Sequence, residues 1–117
     1  MKLSILMPVY NERTVVERCI SQVLQAPVPE NIERELVIVD DRSTDGTYDI
    51  LERLAAAHPE IQLHRHGVNS GKGAAVRTAI QHATGDFLSI AWRRVPHRSA
   101  RISAAATLRG HVLDPLR

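Results

Sequence analysis

The sequence predicts an α/β domain, a mostly parallel sheet of about four strands with three helices. Two observations carry this expectation. Short apolar runs of the kind found in buried strands alternate with stretches of 10–13 residues whose apolar positions recur at helical spacing. The loops between them are short, as βαβ crossovers require, so the strands run parallel and helices cover both faces of the sheet.

"KLSILMPV", closed by Pro8, is the first buried strand. "TVVERCISQVLQA" follows, with Val15, Val16, Cys19, Ile20, Val23 and Leu24 on one helical stripe. Thr14 and Glu17 have capping-box spacing at its start, and Pro27 and Pro29 end it. "ELVIVDD" is the second strand, and "TYDILERLAAAH" is a helix with Ile50, Leu51, Leu54 and Ala55 inward, stopped by Pro59. "IQLHRH" reads as the third strand, "GAAVRTAIQHA" as the third helix and "DFLSIA" as the fourth strand.

After Ala91 the pattern stops. Residues 1–91 hold 9 Lys/Arg against 12 Asp/Glu, whereas residues 92–117 hold 6 Arg against the single Asp114. A short Ala-rich helix over residues 99–108 and disorder both stay open for this stretch. Residues 1–91 are therefore one unit and 92–117 a separate Arg-rich tail.

At 117 residues the chain suits one domain. Aromatics are only 3% of it, so the core must come from Val, Ile, Leu and Ala. The lone cysteine, Cys19, excludes an internal disulfide, suits a reducing compartment and falls on the inward stripe of the first helix. No apolar run reaches the roughly 18 residues of a membrane span. The apolar N-terminal run is too short for a secretory signal and reads better as a strand.

In open parallel sheets, ligands sit at the carboxyl ends of the strands. Three polar clusters fall there: "PVYNE" (8–12), "VDDRSTDG" (39–46) and "NSGKGAA" (69–75). Together they offer an aromatic face at Tyr10, carboxylates at Glu12, Asp40 and Asp41, and Lys72 at a helix start. That set suits a nucleotide: a ring for the base, acceptors for base N–H or ribose hydroxyls, amides and a lysine for phosphate. Asn11, Ser43 and Asp45 read as ordinary turn and cap residues. Adjacent carboxylates at 40 and 41 repel, which invites a ligand or basic partner unless one caps the turn. Lys72 reads equally as a solvated helix-start lysine.

"GVNSGKG" has the wrong spacing for a Walker A loop and Gly73 where Ser or Thr is needed. No G-x-G-x-x-G follows the first strand, which argues against a dinucleotide fold. His64 and His66 lack partners at metal-ligand spacing and are taken as surface residues.

"SILMPVYNE", "ELVIVDDRSTDGT", "NSGKGAAVRTAI" and "ATGDF", in this order, resemble family 2 glycosyltransferases, most of all the bacterial dolichol-phosphate mannosyltransferase-like group. The likeness covers about residues 1–90, roughly the N-terminal half of that family's catalytic domain. It implies a GT-A nucleotide-diphospho-sugar transferase fold, Rossmann-like, here in part. It further implies that Pro8, Tyr10 and Glu12 line a base pocket, that Val39 and Asp41 contact base or ribose, and that Lys72 lies on the phosphate side. The implied reaction transfers a sugar from a UDP- or GDP-sugar to an acceptor such as a polyprenyl phosphate, and relatives work at the cytoplasmic membrane face. A cytoplasmic location is expected, with no nucleic-acid partner.

Two departures stand out. Arg42 occupies the position after the paired aspartates where the family usually has glycine, a small change in a turn. More seriously, the family's D-x-D element, which holds Mg²⁺ or Mn²⁺ against the diphosphate, would fall at Trp92 and Arg94. Neither residue supplies an oxygen ligand to a hard cation. The expectation is a chain that binds no metal, carries no catalytic residue and is inactive alone, its tail resembling translation of a GC-rich gene in a shifted frame. A non-catalytic nucleotide-binding or regulatory module is the alternative. An open outer edge on the fourth strand would favour self-association unless the tail covers it.

Overall fold

The computed structural model describes residues 1–91 together with Thr107 and Leu108. Its elements in chain order are β1 (Lys2–Val9), α1 (Val16–Gln25), β2 (Glu33–Asp40), α2 (Thr47–Ala57), β3 (Ile61–Arg65), α3 (Lys72–His82), β4 (Phe87–Ile90) and β5 (Thr107–Leu108). They form one sheet in the order β3-β2-β1-β4-β5. The first four strands are parallel, and β5 is antiparallel to β4. The α/β fold expected from the alternating pattern is therefore present, with four parallel strands and three helices.

Strand alternation distributes the core. Leu3, Ile5, Met7 and Val9 of β1, with Leu36 and Ile38 of β2, pack against Val16, Cys19, Ile20 and Val23 of α1 and Leu51 and Leu54 of α2. Leu6, Val37, Val39, Leu88 and Ile90 face the other way, onto Ala75, Ala79 and Ala83. Alanines at every fourth position give α3 a smooth face that lies close to the sheet.

The capping box expected at Thr14 and Glu17 is absent: α1 starts at Val16 and has no side-chain cap. Its first turn is instead organised by the Glu12 carbonyl, which accepts from the amides of Val15 (3.0 Å) and Val16 (2.8 Å). At the other end, Ala26 is extended because Pro27 disfavours a helical residue before it.

The amino ends of the strands meet at Glu35, which is nearly buried. Its carboxylate accepts from Ser4 Oγ (2.7 Å), Thr84 N and Oγ1 (both 3.0 Å) and Gln62 Nε2 (3.1 Å). Burial works to raise this carboxyl, but the Ser4 and Thr84 hydrogen bonds, helped by the Lys2 charge, outweigh it and hold it below its ordinary value. Beside it, Gly85 N donates to Ser4 Oγ (2.8 Å), and Asp86 accepts the Lys2 amide (3.0 Å). A Cβ at Gly85 would stand 2.5 Å from Ser4 Oγ and 2.8 Å from Lys2 O. The "TGD" turn thus fastens β4 to β1.

The outer edge of β4 is met by β5 at Phe87 and Leu88. Thr107 and Leu108 are therefore strand rather than the end of a helix, because the β4 edge offers backbone groups that need partners. The remainder of the stretch 99–108 lies outside the described residues. Among the described residues no helix is long and apolar enough to cross a membrane.

Candidate functional site

The carboxyl ends of three strands lie side by side. Val9 pairs with Asp40, and Asp40 with Arg65, so the loops after β1, β2 and β3 leave from one line. Hydrogen bonds stitch the first two loops together. Asn11 N donates to Ser43 Oγ (2.8 Å), Thr44 N to Asn11 Oδ1 (2.8 Å), and Glu12 N to Thr47 Oγ1 (3.0 Å). Thr47 is held in turn by Asp45, which accepts from both its amide and its hydroxyl. Asn11, Ser43 and Asp45 are indeed turn and cap residues, but what they join is two different loops.

Alternation separates the paired aspartates. Asp40, fully buried, turns to the α2 side, where it accepts from Ser43 N (2.9 Å) and Oγ (2.6 Å) and pairs with Arg65 Nε at 3.3 Å. The Arg65 guanidinium also lies over the Tyr48 ring, 4.2 Å from its centroid. Asp41 turns to the α3 side. The expected repulsion is thus relieved by geometry: each carboxylate has its own set of donors, and Asp40 does cap the turn.

Asp41 anchors the third loop. It accepts from Ser70 N (2.8 Å) and His66 Nδ1 (2.7 Å) on Oδ1 and from Gly71 N (2.8 Å) on Oδ2, while its own carbonyl accepts from Asn69 Nδ2 (3.1 Å). Burial would raise its carboxyl, but the His66 hydrogen bond and the two amides outweigh that and hold it below its ordinary value.

His64 and His66 are not free surface residues, which corrects the expectation. β3 alternates, so its even positions face α3. His64 stacks on His82 with ring centroids 3.7 Å apart. Burial, and then the His82 charge, lower its pKa. His66 bridges Asp41 to Thr78 Oγ1, which is 2.8 Å from Nε2. Arg65 and His66 are the partners of the paired aspartates that motif reasoning missed; the alternation of H-R-H at the end of the third strand was the signal for them.

The six expected site residues are placed unequally. Tyr10 is exposed (44%), Lys72 is exposed at the first position of α3, and Pro8 and Glu12 are half-buried. Asp41 is 3% exposed, and Val39 at 0% leaves no surface for a ligand. Arg42 adopts φ 66°, as does Asn11 at φ 50°, the left-handed region. That is where glycine is favoured, so the arginine at position 42 is a larger departure than a neutral turn substitution.

Among the described residues no group of three or more His, Cys, Asp or Glu stands together as a metal site. Trp92 and Arg94 lie outside the described residues. The two aspartates nearest the edge are committed to Arg65, His66 and backbone amides.

The family model "Glycosyl transferase family 2" matches residues 4–91. A dolichyl-phosphate beta-glucosyltransferase, ALG5C, of Trichomonas vaginalis is 34% identical over 86 residues, covering 69% of this chain and 26% of the relative. The mannosyltransferase PcManGT from Pyrobaculum calidifontis, solved with GDP-Man and Mn²⁺, superposes with a TM-score of 0.66 at 33% identity, covering 74% of this chain and 25% of that one. S. aureus TarS 1-349, solved with UDP-GlcNAc, superposes at 0.69 with 29% identity, covering 79% and 26%. The chain spans between 14% and 33% of the length of five curated relatives it matches.

Proposed function

The chain belongs to glycosyl transferase family 2, and from that premise we propose that it is the nucleotide-recognition part of a sugar transferase, taking a UDP- or GDP-sugar at the carboxyl edge of β1, β2 and β3. One observation carries this: the first two loops are hydrogen-bonded to each other, and the third is anchored on Asp41, at the edge where open parallel sheets bind ligands. Tyr10 packs on the base, with Pro8 and Glu12 beside it. Asp41 accepts a base N–H or a ribose hydroxyl, and Lys72 faces the phosphates. Val39 supports the site from inside the core. Solved neighbours holding GDP-Man and UDP-GlcNAc support the nucleotide-sugar class.

The acceptor is a polyprenyl phosphate at the cytoplasmic face of the membrane; the name of the dolichyl-phosphate relative supports it. Residues 1–91 form the family unit, and 92–117 are a tail foreign to it. With Trp92 and Arg94 where the resemblance implies metal ligands, the chain binds donor without a metal and transfers no sugar by itself.

Calorimetric titration of the chain with UDP and GDP, with and without Mn²⁺, tests this. One of the two nucleotides is expected to bind with an affinity indifferent to Mn²⁺. Metal-enhanced binding would overturn the metal-independence, and silence with both nucleotides would overturn the recognition function.

A further inference from the structure

Asp41 can offer a ligand only what its neighbours leave. A carboxylate has about four lone-pair positions. Ser70 N and His66 take two on Oδ1 and Gly71 N takes one on Oδ2, so a single acceptor direction remains, on Oδ2. A carboxylate receiving two amide donors is an acceptor for the imidazole as well, so Nδ1 of His66 carries the proton. In the neutral ring Nε2 is then an acceptor, and the Thr78 hydroxyl at 2.8 Å is the donor it requires. Thr78 sits on α3 beside Ala79, so its position is fixed by the packing of Ala75 and Ala79 on the sheet. The order Thr78 O–H to His66 Nε2, then His66 Nδ1–H to Asp41, runs from rigid helix to site edge.

We propose that His66, set in its Nδ1–H tautomer by Asp41 and held in orientation by Thr78, is a positioning residue that aims the one open lone pair of Asp41 at a donor group of the nucleotide. The proposal rests on the nucleotide reading of the edge. His66 never touches the ligand; it stops the Asp41 carboxylate from rotating away from it. Thr78 extends that control to α3.

Long-range ¹H–¹⁵N spectra of the histidine rings in the whole chain at pH 8 test the lock directly. His66 is expected to show a protonated Nδ1 and a bare Nε2, and the reverse tautomer overturns the proposal without any variant. T78V keeps the shape of the side chain but removes the donor. It is expected to keep the Nδ1–H tautomer, which Asp41 sets, but to free the ring to turn and to weaken UDP or GDP binding about fivefold, the worth of one hydrogen bond. T78S restores the hydroxyl and is expected to recover wild-type affinity. Unchanged affinity in T78V, in a chain where D41N weakens binding, overturns the positioning role. Unchanged affinity in D41N instead overturns the nucleotide reading of Asp41, leaving the tautomer result standing.

Discussion

At the scale of single residues, the paired aspartates show where sequence reasoning reaches its limit. Their position at the end of an apolar run marked the carboxyl edge of the sheet, and that was legible. Their division of labour was not, because it depends on donors from β3 and the loop before α3, far along the chain. His66 is the clearest case. Read as a linear motif it has no partner; read as the third even position of a strand it faces α3, where Thr78 waits. Arg42 shows the opposite limit, since a backbone angle of φ 66° is invisible until the turn is built. Replacing it with glycine removes a left-handed strain of about 1–2 kcal/mol and adds about 0.5–1 kcal/mol of unfolded-chain entropy. R42G is therefore expected to raise the melting temperature by about 2–5 °C. A melt that stays level or falls in scanning calorimetry would show that the arginine side chain itself stabilises the turn.

At the scale of elements, strands were easier to delimit than helix starts. β1 runs over Lys2–Val9, the stretch that hydrophobicity marks out, because a strand buried on both faces is apolar along most of its length. The start of α1 misled, since Thr14 and Glu17 fit a capping pattern while the Glu12 carbonyl organises the turn instead. The turn between α3 and β4 has a sharper requirement. Any Cβ at Gly85 meets Ser4 Oγ and two backbone atoms of β1, and backbone cannot yield as a side chain can. G85A is expected to cost about 3 kcal/mol, the upper part of the range for overpacking a closed site. Urea unfolding measures it, and a loss under about 1 kcal/mol would mean that β4 can slide along β1.

At the scale of the whole molecule, acid sensitivity gathers at both ends of the sheet. Glu35 at the amino end and Asp41 at the carboxyl end each have folded-state values below the ordinary 4.5 and 3.8. Their contribution to stability is therefore complete above those ordinary values and is lost as pH falls through the lower folded-state ones. Thermal melts between pH 7 and pH 3 are expected to hold level to about pH 5 and then fall. The acid slope should flatten in E35Q; an equally steep slope in that variant would remove Glu35 as its source. Strand order has a consequence of another kind. β1 comes before the other described strands in the chain, yet it lies between β2 and β4, and its Leu3 pairs with Phe87. During synthesis its second edge stays bare until almost the whole family unit has emerged. Closing that edge waits on β4, so until then β1 presents unpaired backbone groups that other chains could pair with.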